Sequence, residues 1–272
     1  MKIIKTIEEM RALKITSNLG FVPTMGALHA AHLSLVSQSI DDNELTVVSI
    51  FVNPTQFNDP KDLAVYPKPM QEDIKLCENA GVDYLFMPDT KTMYFDDEVL
   101  LETPKGLGNI LEGACRPGHF NGVLRVVLKL LNIVQPNKLY LGQKDAQQLA
   151  VITKMVNDFF IDVEVVPCEL IRHQDGLAMS SRNALLSADE RQRALSLSKA
   201  LFKAVELVEQ GVDNISTIKT AMQVILAEPT ELEYVEILAR NFTEIDKVDI
   251  DNSIILIAAM VGNTRLIDNI QI

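Results

Sequence analysis

The sequence predicts an α/β protein: a larger N-terminal part holding a mostly parallel sheet, then a smaller α+β part. Three observations predict it. Residues 45–52 (LTVVSIFV) form a continuous apolar, β-branched run, as a strand buried on both faces requires. Strand-like and helix-like segments alternate up to about Cys168, the order that builds parallel sheets. Beyond that point two helical segments precede two strand candidates. A chain of 272 residues suits two domains of roughly 100–200 residues each, here 1–168, Rossmann-like, and 169–272.

Thr6-Ile7-Glu8-Glu9 has the capping-box form and starts a helix reaching about Leu13. Residues 20–23 read as a short strand ending at a proline, and apolar Leu28, Leu33, Leu35 and Val36 follow the Met25-Gly26 turn at helical spacing. A helix over 72–80 stops at Gly81, and strands are expected over 84–87 and 138–141. Between them 122–134 has helical periodicity, 146–160 continues it, and 163–171 is strand-like. A second capping box, Ser187-Ala188-Asp189-Glu190, opens an amphipathic helix with Leu197, Leu201, Val205 and Val208 on its stripe and Gly211 at its end. A helix over 216–227 and strands over 232–238 and 253–261 complete the chain.

Composition narrows the function. The chain is 47% hydrophobic and 23% charged, which is globular. Its formal charge of −12 opposes binding to phosphate backbones or anionic lipid, so neither nucleic acid nor membrane is an expected partner. An anionic small substrate needs a pocket whose local charge opposes the global one. Cys77, Cys115 and Cys168 are widely spaced and form neither a disulfide framework nor a CxxC site, which fits a reducing cytosol. The N-terminal residues carry no apolar signal region, and the apolar run 254–261 is far shorter than the ~20 residues of a membrane span. A cytoplasmic location is expected.

Four segments could carry chemistry. In 23–32 (PTMGALHAAH), His29 and His32 lie three apart near a helix start, on one face, where free N–H groups and the dipole favour phosphate. The competing readings are half a zinc site, which no further ligands complete, and two ordinary surface histidines. Asn53 and Gln56 follow the apolar strand, where open α/β sheets bind ligands, and their neutral amides suit a hydroxyl or carboxylate; on these residues alone an Asn-Pro turn with incidental polarity is the better reading. In 141–148 (LGQKDAQQ), Gly142 permits close backbone approach and Lys144 can meet a phosphate, although no P-loop pattern occurs and a solvated helix start reads as well. Ser180, Ser181 and Arg182 in 179–183 (MSSRN) suit triphosphate oxygens or a polar hinge. The residues by themselves lead to an α/β enzyme binding a nucleotide without a P-loop.

The ordered blocks PTMGALHAAH, SIFVNPTQF, Tyr66-Pro67-Lys68, RPGHFNGV, LGQKDAQQL and DGLAMSSRN, with the tail Thr264-Arg265-Leu266-Ile267-Asp268-Asn269, resemble the pantoate–β-alanine ligase family over essentially the whole chain. That family belongs to the nucleotidyltransferases with a His-x-x-His signature. The resemblance implies ATP-dependent joining of pantoate and β-alanine through a pantoyl adenylate, with release of pyrophosphate and AMP. It places Pro23, Thr24, Met25, Gly26, His29, His32, Gly142, Gln143, Lys144, Asp145, Ile171, Met179, Ser180, Ser181 and Arg182 at the nucleotide, with His29, His32, Lys144 and Arg182 in catalysis. His32 is the family's proton donor; because a carboxylate nucleophile needs no base, charge stabilisation on the phosphate is the role its chemistry asks for. Gln56, Gln148 and Asn53 are implied for pantoate and β-alanine, Glu72 and Asp73 for Mg2+, and a homodimer for the assembly.

Three residues depart from the family pattern. Ala31 stands where glycine is usual, Gln143 where glutamate is common, and Lys68 where arginine is usual. Ala31 is harmless inside the first helical turn but strained at positive φ. A related nucleotidyltransferase acting on a phosphorylated acceptor would need more basic residues than Asn53, Gln56 and Gln148 supply. A regulatory nucleotide-binding protein would draw support from Ala31 alone.

Overall fold

The computed structural model describes residues 1–58, 60–226 and 231–272, which divide into two units. The first comprises Met1–Gln143 and Gln147–Glu169, the second Lys144–Ala146 and Leu170–Ile272. The sequence reading places Lys144–Ala146 in the first domain; by its contacts this turn groups with the second unit.

In the first unit, parallel strands β1 (Lys2–Ile4), β2 (Leu19–Thr24), β3 (Leu45–Ile50), β4 (Tyr84–Phe86), β5 (Lys138–Gly142) and β6 (Glu164–Cys168) form one sheet in the order β1-β4-β3-β2-β5-β6. Successive side chains point to opposite faces of a strand, and both faces are covered. Phe21, Val47 and Leu139 pack into one cluster with helix His119–Val134, while Val22, Val48 and Tyr140 pack into another with Leu35 and Val36 of helix Ala30–Asp42. That is why 45–52 shows no polar alternation. Its last two residues, Phe51 and Val52, have left the strand.

Local signals set the element ends. Thr6 and Glu9 form the capping box of helix Ile7–Ala12. Helix Met70–Ala80 ends at Gly81, which adopts φ 86° as a left-handed cap. Strand β6 stops at Cys168, short of the expected 171. Strand β1 escapes prediction because its three residues, Lys2 and two isoleucines, carry no readable period.

In the second unit, helices Ala188–Glu209 and Ile215–Leu226 cover an antiparallel sheet of β7 (Glu231–Ala239), β8 (Ser253–Val261) and β9 (Thr264–Gln271). Leu197, Leu201, Ile218, Met222, Val235 and Ile257 meet in its core. Ser187 and Glu190 make the expected capping box. Of the expected helix over 216–227, Ala227 lies outside the described residues.

Candidate active site

The strand order reverses at β2. From β2 the chain passes to β3 on one side, whereas β5 lies on the other. The carboxyl ends of β2 and β5 therefore flank a topological switch point, the place where open α/β sheets bind ligands. His29 is the N-cap of the helix that follows β2, and His32 is its third residue. Their rings lie 4.1 Å apart, centroid to centroid, and His32 Nδ1 accepts the His29 backbone N–H at 3.4 Å. The expected pairing of the imidazoles on one face is what the fold produces. Ala31 is the second helical residue and is not among the residues at positive φ. The left-handed positions fall earlier, at Gly26 (φ 81°) and Ala27 (φ 51°).

Asp73 holds that loop. Buried to 2% exposure, it accepts the Ala27 N–H at 2.9 Å on one oxygen and the Leu28 N–H at 2.8 Å on the other. A Cβ on Gly26 would approach its carboxylate to 2.9 Å. These two amides are thus occupied, and only the first turn of the helix itself offers N–H groups lacking intrahelical partners. Glu72, one residue earlier, is exposed. Neighbours on a helix diverge, so Glu72 and Asp73 do not fit the two-carboxylate Mg2+ site implied for them. No group of three or more His, Cys, Asp or Glu among the described residues could hold a metal ion.

The second motif folds into a 3₁₀ turn, Pro54–Gln56, after β3. Asn53 is fully buried and its amide is saturated: Oδ1 accepts from Thr55 N (3.2 Å), Thr55 Oγ1 (2.9 Å) and Tyr94 Oη (2.7 Å), while Nδ2 donates to Gln56 Oε1 and Gly122 O, both at 3.1 Å. Each of these bonds helps to hold the turn that carries Gln56. Gln56 Nε2 points to Met25 Sδ at 2.8 Å, joining the loop after β3 to the loop after β2. His119 Nδ1 lies 2.7 Å from the Gln56 carbonyl, Arg116 Nη2 donates to that carbonyl at 3.3 Å, and Arg116 Nη1 lies 3.0 Å from His119 Nε2. The RPGHFNGV block, uninformative alone, is therefore the clamp behind Gln56. Gly122 completes it, since a Cβ there would stand 2.3 Å from Thr55 O.

Gln147 is buried and bonds to Leu107 O, Ile110 O and the Glu112 N–H, so it braces 107–112. Gln148 is half-buried and makes no side-chain hydrogen bond among the described residues. Pro23 and Thr24 end β2, where Thr24 Oγ1 donates to Ser49 O at 2.8 Å and accepts from Gly26 N.

Lys144 and Asp145, both of the second unit, follow Gln143 in a 3₁₀ turn, and Lys144 Nζ is 3.7 Å from Asp145 Oδ1. Ile171 O accepts the Met179 N–H at 3.0 Å, pairing the arms of a bend that leads into Ser180. Ser180 Oγ caps the next turn by accepting the Arg182 N–H at 3.2 Å. The Arg182 guanidinium has no ion partner among the described residues. Thus the His29–His32 pair and the Gln56–Met25 contact both belong to the first unit, whereas Lys144 and 180–182 belong to the second.

Paired imidazoles at a helix start, beside a switch point of an open parallel sheet, form an arrangement suited to a nucleotide in an α/β enzyme. The family model described as pantoate-beta-alanine ligase matches residues 2–271. Pantothenate synthetase of Campylobacter hominis is 51% identical over 272 residues, covering 99% of each chain, and that of Campylobacter curvus is 50% identical over the full length of both. Among solved structures, pantothenate synthetase from Thermus thermophilus superposes with a TM-score of 0.96 at 37% identity, covering 100% of this chain and 99% of that one. The pantoate-beta-alanine ligase of Francisella tularensis, complexed with beta-gamma ATP and beta-alanine, gives 0.83 at 39% identity, covering 100% and 97%. The chain belongs to the pantoate–β-alanine ligase family.

Proposed function

We propose that the chain joins pantoate to β-alanine at the expense of ATP, by way of a pantoyl adenylate, releasing pyrophosphate and AMP. The carrying observation is the meeting of two loops at the carboxyl ends of β2 and β3: His29 and His32 follow one, and Gln56, held against Met25, follows the other. The Francisella relative bound to beta-gamma ATP and beta-alanine supports two of the three substrates.

In this reading a pantoate carboxylate oxygen attacks the α-phosphorus of ATP and the bond to pyrophosphate breaks. His29, His32, Lys144, Ser180, Ser181 and Arg182 bind the phosphates and offset charge where the leaving group develops it. Gln56 and Gln148 hold pantoate, with Asn53, Arg116 and His119 fixing Gln56 through its side chain and carbonyl. The β-alanine amine then attacks the acyl carbon, the C–O bond to AMP breaks and the amine sheds its proton. Positioning of two bound reactants supplies much of that step. Because Glu72 and Asp73 do not converge, the magnesium of MgATP is taken to be held by phosphate oxygens and water. A cytoplasmic homodimer belongs to the same proposal and is checked by size exclusion.

The direct test is pyrophosphate release from MgATP and pantoate, with and without β-alanine. Continuous turnover requiring all three substrates is expected, and about one enzyme equivalent of pyrophosphate without β-alanine. Absence of release from any mixture by a protein that still binds ATP would overturn the proposal.

A further inference from the structure

Lys144 sits on a turn of three residues, too short to fix its own geometry. The carbonyl of Lys144 is caught by Asn269 Nδ2 at 2.8 Å, from strand β9, which is 125 residues away in sequence. Asn269 is only 5% exposed, and its own backbone carbonyl accepts Arg172 Nη2 at 3.1 Å. Arg172 forms a two-pronged pair with the neighbouring carboxylate: Nη1 to Asp268 Oδ2 at 2.7 Å and Nη2 to Asp268 Oδ1 at 2.9 Å. That same Asp268 oxygen accepts the Asn269 N–H at 2.8 Å. The guanidinium also donates to Gly176 O at 3.1 Å and lies over the Phe202 ring at 5.3 Å.

Arg172 thus reaches two places at once. Through Asn269 it ties down the Lys144 turn. Through Gly176 it fixes the bend whose arms pair at Arg172 and Ala178, just before Ser180. A bidentate Arg–carboxylate pair whose carboxylate is buried and whose guanidinium is half-buried holds direction as well as distance. Strand β9 needs no such polar device for its fold, since β8 already pairs it along its length.

We infer that Asn269, oriented by the Arg172–Asp268 pair, is a positioning residue for Lys144 and sets its ammonium for the triphosphate. This rests on the proposed phosphate role of Lys144, and the experiment separates the two.

Steady-state constants for all three substrates are measured for Asn269→Ala, Lys144→Ala and the double variant, with thermal unfolding for each. Asn269→Ala is expected to raise KM for ATP or lower kcat about three- to tenfold, the kinetic equivalent of one hydrogen bond. KM for pantoate and β-alanine should stay within about twofold. In the Lys144→Ala background the same change should add nothing. An equal loss in both backgrounds, or shifts as large for pantoate and β-alanine as for ATP, overturns the inference while leaving the role of Lys144 intact. Near-normal activity of Lys144→Ala overturns that role and the inference with it. If Asn269→Ala unfolds, Asn269→Asp carries the same test, because it keeps the shape and replaces the donor with an acceptor.

Discussion

Gly122→Ala is the most informative single substitution, because helix propensity and site geometry predict opposite signs. Gly122 lies within helix His119–Val134, where alanine should add up to about 1 kcal/mol of helix stability. Its Cβ, however, would stand 2.3 Å from Thr55 O, 2.6 Å from Thr55 C and 2.9 Å from Gln56 N. Comfortable contact needs about 3.5 Å, so the backbone of the turn must retreat by about 1 Å. All three atoms are main chain, and the turn is tied to Asn53 and His119. Overpacking of this kind costs about 1–3 kcal/mol, which exceeds the propensity gain. The displacement also moves the Gln56 amide by about its own tolerance, and misplacement of about 1 Å can cost on the order of 100-fold in rate. The expected result is a tenfold or larger fall in kcat/KM for pantoate, a smaller change in KM for ATP, and a slightly lowered melting temperature. Kinetics with pantoate as the varied substrate, beside a thermal melt, decide it. A more stable protein with unchanged pantoate kinetics would refute the reasoning.

Other substitutions and probes test other parts of the site. Ala31→Gly should leave kcat within about twofold and destabilise the helix by about 0.5–1 kcal/mol; a gain in activity of tenfold or more would mean that the alanine methyl obstructs phosphate. Asp73→Asn sets an amide N–H2 against the Ala27 or Leu28 N–H, so a loss of about 1–3 kcal/mol in urea unfolding and a raised KM for ATP are expected; unchanged ATP kinetics would show that the loop does not depend on this carboxylate. Burial pushes the Cys77 thiol up to about 12, with Asp73 adding to it, and the Cys168 thiol up to about 11, whereas Cys115 is exposed. A thiol–disulfide reagent at pH 8 should therefore label one cysteine quickly and all three only after unfolding; rapid labelling of Cys77 in the folded protein contradicts the packing of the first unit.

The sequence discloses most clearly what depends on neighbours along the chain. The capping boxes at Thr6 and Ser187, the Gly81 stop and the apolar run of β3 act over a few residues, and each shapes the element it signals. The two histidines were legible for the same reason, as spacing on a helix start suffices to pair them. Contacts formed across the fold were not. Nothing in 116–122 announces that Arg116, His119 and Gly122 close on a turn some 60 residues earlier. Asn53 looked like a ligand because a neutral amide after a strand is suited to one; only the partners it meets, Tyr94 and Gly122 among them, show its capacity already filled. Asp73, implied for Mg2+ only by the family resemblance, carries no local sign that it holds the loop amides of Ala27 and Leu28. Strand β9 and its Asn269 carry no local mark of a tie to Lys144.

The central claim, a pantoyl adenylate, is tested most directly by following oxygen. With both carboxylate oxygens of pantoate replaced by oxygen-18, attack on the α-phosphorus makes one of them the bridge between acyl carbon and phosphorus. Amine attack on the acyl carbon then breaks the C–O bond, so the bridging oxygen departs with the nucleotide. One oxygen-18 atom is expected in each AMP formed and one in the amide carbonyl of the product. Unlabelled AMP, or label appearing in inorganic phosphate beside ADP, would contradict it.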